Sequence, residues 1–222
     1  MNTNVNLLAP IGALALLGTV FVLFIAVLAL IQSLVVRRRA RAKVVLVAML
    51  VVAGVYLAAV LIFSLASHEK VLARGDEKHF CEIDCHLAYS VVDVRQSKTL
   101  GDSPNQKTAQ GTFTVVTIRT RFDEATISAR RGDGLLYPNG RVLTILDDRG
   151  NKYGPADTVP NGGGKPLTTP LRPGESYITE VAFDLPADAK PSTLLIKEGE
   201  WVTHFVIGHE NSPLHRQTGF QL

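Results

Sequence analysis

The chain has 222 residues, 23 lysines and arginines against 20 acids, and a formal charge of +3. That average conceals a division, because all 20 acids lie after Ser67 and no charged side chain occurs between Met1 and Val36. Five cations fall in one short run, which leaves 18 cations against 20 acids from His68 onward; a nucleic-acid-binding protein clusters its cations on the folded domain, so that class of partner is excluded.

Leu7 to Val36 is uncharged and built mostly of Leu, Val, Ala, Ile and Phe. It exceeds the roughly 20 residues that a helix needs to cross the hydrocarbon core. Val44 to Ser67 is a second such run, with Gly54 and Tyr56 inside it. Residues 1–67 are therefore expected to form a two-helix membrane anchor, with helices over about 7–36 and 44–67. A cleaved signal peptide has a basic start and an apolar stretch of roughly 7–15 residues. The first run has no basic start and is about twice that length, so it reads as retained.

Between the runs lie Arg37, Arg38, Arg39, Arg41 and Lys43. Short cationic loops stay on the cytoplasmic side, so residues 37–43 set the topology. The N-terminus and everything after Ser67 are then expected on the periplasmic or extracellular side of a bacterial cytoplasmic membrane. So short a connection implies an antiparallel helix pair, with Gly12, Gly18, Gly54, Ala53, Ala58 and Ala59 small enough for close approach. The same arginines suit contact with anionic lipid.

Residues 68–78 are polar and read as a stalk. Beyond them the apolar residues recur with period two: Ile83, Cys85, Leu87, Tyr89 and Val91 alternate with Asp84, His86, Ala88 and Ser90, as in a half-buried strand. Gly111 to Phe122 is a second strand, rich in Thr, Val, Ile and Phe. Arg141 to Leu146, the turn Asp147-Asp148-Arg149-Gly150-Asn151, and Lys152-Tyr153 predict a hairpin. Tyr177–Leu185, Thr193–Lys197 and Trp201–Ile207 are read as further strands, separated by Pro- and Gly-rich turns. Short strands at this spacing predict an all-β sandwich or barrel over residues 79–207, and about 145 residues suffice for one such core. Gly208 to Leu222 reads as a C-terminal tail, either disordered or docked on a partner. Trp201 is expected in packing rather than ligand stacking.

The segments GTFTVVTIRTRF, LTILDDRGNKYGP and PLRPGESYITEVAFDLPADA follow one another in this order. In that order they resemble the telokin-like, immunoglobulin-like domains of bacterial envelope proteins, over roughly Phe80 to Ile207. The resemblance implies an immunoglobulin-like sandwich. Many such domains hang from a lipidated cysteine, whereas this chain has two helices, and the family has no single activity to carry over.

The conspicuous chemical cluster is His79-Phe80-Cys81-Glu82-Ile83-Asp84-Cys85-His86, which holds both cysteines of the chain. A Cys81–Cys85 disulfide is the favoured reading, because free thiols are hard to maintain in an oxidising compartment. Residues four apart on a strand lie about 13 Å from one another, while a disulfide needs Cα atoms about 4.4–6.8 Å apart. The bridge therefore requires a turn before the strand. The alternative is a copper or zinc site using Cys81, Cys85, His86 and His79, with His204, His209 and His215 completing it if the first and last strands are neighbours. Covalent haem c is opposed by the spacing, one residue longer than C-x-x-C-H, and by the lack of a helical wall.

Gly162-Gly163-Gly164-Lys165 is followed by Pro166 where a phosphate loop needs Ser or Thr, so it reads as a turn. Asp147 and Asp148 would face opposite ways on a strand, and there is no G-x-S-x-G or H-E-x-x-H. The expectation is a non-enzyme without cofactor: a membrane-anchored β module in contact with lipid and with another membrane or envelope protein, as a binding or accessory subunit. The alternative is a metal-binding or redox accessory protein.

Overall fold

The computed structural model describes residues 8–80, 87–124, 132–156 and 164–222. They form two compact units. One joins the N-terminal helices to Trp201–Arg216, and the other contains Glu69–Glu200 and Gln217–Leu222.

In the first unit, α1 (Leu8–Val35) and α2 (Arg39–Leu65) are 28 and 27 residues long. Each is long enough to cross a bilayer. Leu17, Phe21, Phe24, Leu28, Val47, Leu50, Val55 and Ile62 are among many large apolar side chains left exposed on them. Such a surface is untenable in water and natural in lipid, and the two helices anchor the chain to a membrane. The link between them is tighter than the expected loop 37–43. Arg39, Arg41 and Lys43 already lie in α2, because Ala, Arg and Lys are good helix formers. Only Val36, Arg37 and Arg38 remain outside the helices. Arg38 N–H donates to the Ser33 carbonyl at 2.8 Å and Arg37 N–H to that of Leu34 at 3.0 Å. With Arg37 at φ 57°, this is a Schellman end, with an arginine in the left-handed position that glycine usually takes.

Trp201–Ile207, expected as a strand, is instead a 3₁₀ turn over Trp201–Phe205 followed by tight turns. Trp201 and Phe205 are four residues apart and meet edge to face at 5.9 Å, a spacing that favours helical over extended backbone.

The second unit contains two sheets. The first has strand order β1-β9-β8-β5-β6 and the second β2-β3-β4-β7. The strands are β1 (Lys70–Leu72), β2 (Lys78–Phe80), β3 (Leu87–Leu100), β4 (Lys107–Phe122), β5 (Arg141–Asp147), β6 (Lys152–Tyr153), β7 (Ser176–Leu185), β8 (Pro191–Glu198) and β9 (Thr218–Gln221). One apolar core draws on both: Leu72, Ile145, Leu194, Ile196 and Phe220 from the first, Tyr89, Val116, Ile118, Phe122 and Phe183 from the second. The arrangement is a β-sandwich, as expected.

Two differences from the sequence reading share a cause. The expected stalk contributes β1, which pairs in parallel with β9, and the expected tail supplies β9 itself, between β1 and β8. Phe220 is fully buried. Thr218-Gly219-Phe220-Gln221 has too few apolar residues to show a period. Its pairing partners are more than 20 residues away on one side and nearly 150 on the other. Only the assembled sheet brings them together.

Strand β4 is buried on both faces from Phe113 to Ile118. Its outer face there packs with Leu100, Ala109, Ala182 and Ala156 in a second apolar cluster. At Gly111 a side chain would strike the backbone of Leu185. Asp184 accepts hydrogen bonds from Gln110 N–H at 2.8 Å and Gly111 N–H at 3.0 Å, which fixes this close approach of β4 to β7.

Candidate functional site

Side chains alternate between the faces of a strand. Arg119, Arg121 and the following Asp123 therefore share the outer face of β4, while Ile118, Thr120 and Phe122 point inward. Strand β3 places Ala88 opposite both His79 and Arg121. His79 thus reaches the same outer face, at the end opposite the second apolar cluster, and Glu77 joins it just before β2.

The result is a five-membered charged cluster. Arg121 grips Glu77 with two parallel hydrogen bonds of 2.8 and 2.7 Å and reaches Asp123 at 3.2 Å. Arg119 lies 3.5 Å from Glu77. His79 Nε2 is 3.1 Å from Asp123 Oδ2. The hydrogen bonds from Arg121, together with charge attraction, outweigh partial burial and hold the Glu77 carboxyl below its usual range. Hydrogen bonding to Glu77 likewise raises Arg121.

Ligand-type atoms of Glu77, His79 and Asp123 lie within 4.8 Å of one another, which raises the question of a cation. The charge count answers it. Two carboxylates face two guanidiniums, and oxygens of both Glu77 and Asp123 are already engaged by Arg121. A cation would have to displace that bidentate pair. The arrangement ties Glu77 and β2 to β4, and the geometry lends no support to a metal centre. Glu77, Arg119, Arg121 and Asp123 escaped the sequence reading. The signal present was the alternation Arg-Thr-Arg-Phe-Asp at the end of a strand.

Of the sequence-predicted site, Cys81, Cys85 and His86 lie outside the described residues, and His79 sits as above. The histidines invoked to complete a metal site are not on the last strand. His204 Nδ1 and His215 Nδ1 lie 3.0 and 2.6 Å from the carbonyls of Trp201 and Arg216, and His209 Nδ1 accepts from Asn211 N–H. All three engage the 201–216 segment itself, while β9 belongs to a different sheet from β2 and β3. The glycine run, described only from Gly164, is held against β7 by Lys165 N–H donating to the Ile178 carbonyl at 2.9 Å.

On the inner face, Lys78 is buried and donates to the Ile196 carbonyl at 2.9 Å and the Thr218 carbonyl at 3.1 Å. It connects β2 to the opposite sheet, and its ammonium lies 4.9 Å from the centre of the Phe80 ring. At the β5–β6 turn, Asp147 accepts from Arg149 N–H and Asn151 N–H at 2.9 and 2.8 Å. It also accepts from Asn151 Nδ2 and the Tyr153 hydroxyl at 2.8 and 3.1 Å. Burial pulls its pKa up, but these hydrogen bonds prevail and lower it to about 2. The motif D-D-R-G-N-K-Y is thus a self-satisfied turn.

No protein-family model and no curated protein matches the sequence. Among solved structures, the chain is similar to MPT63, a secreted protein from Mycobacterium tuberculosis, at a TM-score of 0.46 and 12% identity. The match covers 71% of this chain and 100% of that one.

Proposed function

We propose that the chain is a non-catalytic accessory subunit of the bacterial envelope, in which two helices hold an immunoglobulin-like β module on the extracytoplasmic face of the cytoplasmic membrane. The observation that carries this reading is that the chain joins two lipid-suited helices to a β unit in which, among the described residues, the cluster of Glu77, His79, Arg119, Arg121 and Asp123 is committed to internal ion pairs. Carboxylates and guanidiniums so engaged are structural elements rather than groups poised for acid–base work. Recognition then falls to surfaces, on the β unit or the helices, that meet another membrane or envelope protein.

The cations Arg37 to Lys43 support a cytoplasmic turn between the helices, with both the N-terminus and the β unit outside. On this reading the module needs no cofactor, and Cys81 and Cys85 are joined as a disulfide. Gentle purification in native lipid should recover a second protein, with cross-links that identify the helices or the sheets as its contact surface. Recovery of monomers alone at every detergent and lipid composition would refute the accessory role. A protease that cannot cross the membrane should digest the β unit in intact cells, and protection until lysis would reverse the topology. The mass of the unreduced protein should fall short by two hydrogens, without bound copper or zinc.

A further inference from the structure

Among the exposed residues of the helical unit, one stripe of α2 is covered. Val60 and Ser64 are buried there, and Tyr56 stands four residues earlier on the same stripe. The Tyr56 hydroxyl donates to the Phe205 carbonyl at 2.7 Å. Beyond the end of α2, Ser67 Oγ accepts from Arg216 N–H at 2.7 Å. On α1, Gly12 is buried, and a side chain there would meet the Ile207 carbonyl and Val206. The Trp201–Arg216 segment is therefore fastened along both helices, from the level of Tyr56 to the level of Ser67.

That level has a depth. About 20 apolar residues counted from Val44, next to Lys43 in the first turns of α2, reach Phe63. Tyr56 lies seven residues earlier, roughly 10 Å inside that boundary at 1.5 Å per residue. A backbone at that depth must satisfy its polar groups internally, and this segment pairs several of its own. Successive N–H groups of Val206, His209, Ser212 and His215 donate to the carbonyls of Thr203, Val206, His209 and Ser212. Ser212 Oγ adds a bond to Val206 O at 2.6 Å, and Asn211 Nδ2 reaches Thr203 Oγ1 at 2.8 Å. Trp201 is 74% exposed and Leu214 68%, and Val202 and Phe205 are exposed with them; the polar side chains exposed on the segment are His204 and Arg216.

We propose that Trp201–Arg216 is a second membrane-contacting element, which rests on the membrane anchoring of the helices. Trp201, Val202 and Phe205 enter the lipid between headgroups and upper acyl chains, at the boundary near the C-terminal end of α2. Amphipathic aromatic side chains concentrate at this level, and interfacial elements bury their apolar face about 5–10 Å deep. The occupant is lipid because the exposed apolar surface of the segment continues that of the helices to which it is fastened.

Trp201 is the sole tryptophan, so the intact protein in phosphatidylcholine vesicles carries its own probe. Its emission should be blue-shifted and quenched several-fold more strongly by lipid brominated near the headgroup than by lipid brominated at the chain end or by aqueous iodide. Gly12→Leu and Tyr56→Phe should each shift quenching from bromolipid toward iodide. Strong iodide quenching without bromolipid quenching would overturn the proposal, as would shielding from both, which places Trp201 in a protein interface. Flotation separates the two levels of inference. Protein that floats with vesicles but is not quenched by bromolipid refutes this element alone, and protein that does not float refutes the anchor beneath it.

Discussion

Replacing Phe220 by alanine tests whether the C-terminal residues belong to the core. The ring is fully buried among residues of both sheets, and Phe220 pairs with Leu194 on one side and Leu72 on the other. An aromatic side chain buries roughly 150–250 Å², which at about 25 cal/mol per Å² corresponds to about 4–6 kcal/mol. The unfolded chain already shields part of that area, and buried Phe→Ala substitutions cost roughly 3–5 kcal/mol. A loss of about 4 kcal/mol is a large share of the roughly 5–15 kcal/mol that holds a domain together. With a urea slope near 2 kcal/mol per molar, the midpoint should fall by about 2 M. Pulse proteolysis of the full chain in detergent, following the β unit across a urea series, reads that midpoint. Gln221→Ala, one residue further on and exposed, should move it by less than about 0.3 M. Equal midpoints for the two variants would mean that residues 217–222 lie outside the fold, and the reasoning about β9 would fail.

Gly111→Ala forces a methyl group against the Leu185 backbone and should cost about 1–3 kcal/mol in the same urea assay; an unchanged midpoint would show that β4 and β7 separate freely there. Arg121→Lys keeps the charge but loses the paired hydrogen bonds to Glu77 and should cost about 1–2 kcal/mol, since the pair is partly solvated. Because Asp147 has its pKa lowered from 3.8 to about 2, its contribution is complete above about pH 4 and is lost as pH falls toward 2. The stability gap between the wild-type protein and Asp147→Asn should therefore narrow across that window, and a constant gap would refute the assignment.

The membrane helices were legible because their signal is composition: two long uncharged apolar runs on either side of a cationic stretch need no distant contact to be recognised. Strands β5, β7 and β8 were legible for a related reason. Their Val, Ile, Leu and Thr runs end at Gly and Pro turns, and the turn chemistry of Asp147 to Asn151 is written in adjacent residues. Lys70–Leu72 and Thr218–Gln221 were not legible, because three- and four-residue strands have no period, and what makes them strands is their pairing with each other and with β8. The cluster of Glu77, His79, Arg119, Arg121 and Asp123 had to wait for the sheet register, because a carboxylate 44 positions from its guanidinium becomes a partner only when β2, β3 and β4 align. The turn at Trp201 shows the same limit. Its residues read as a strand, and the hydrogen bonds to Tyr56 and Ser67, each 149 positions away, were decided by tertiary structure, because local pattern records which face a residue prefers but not which distant surface will cover it.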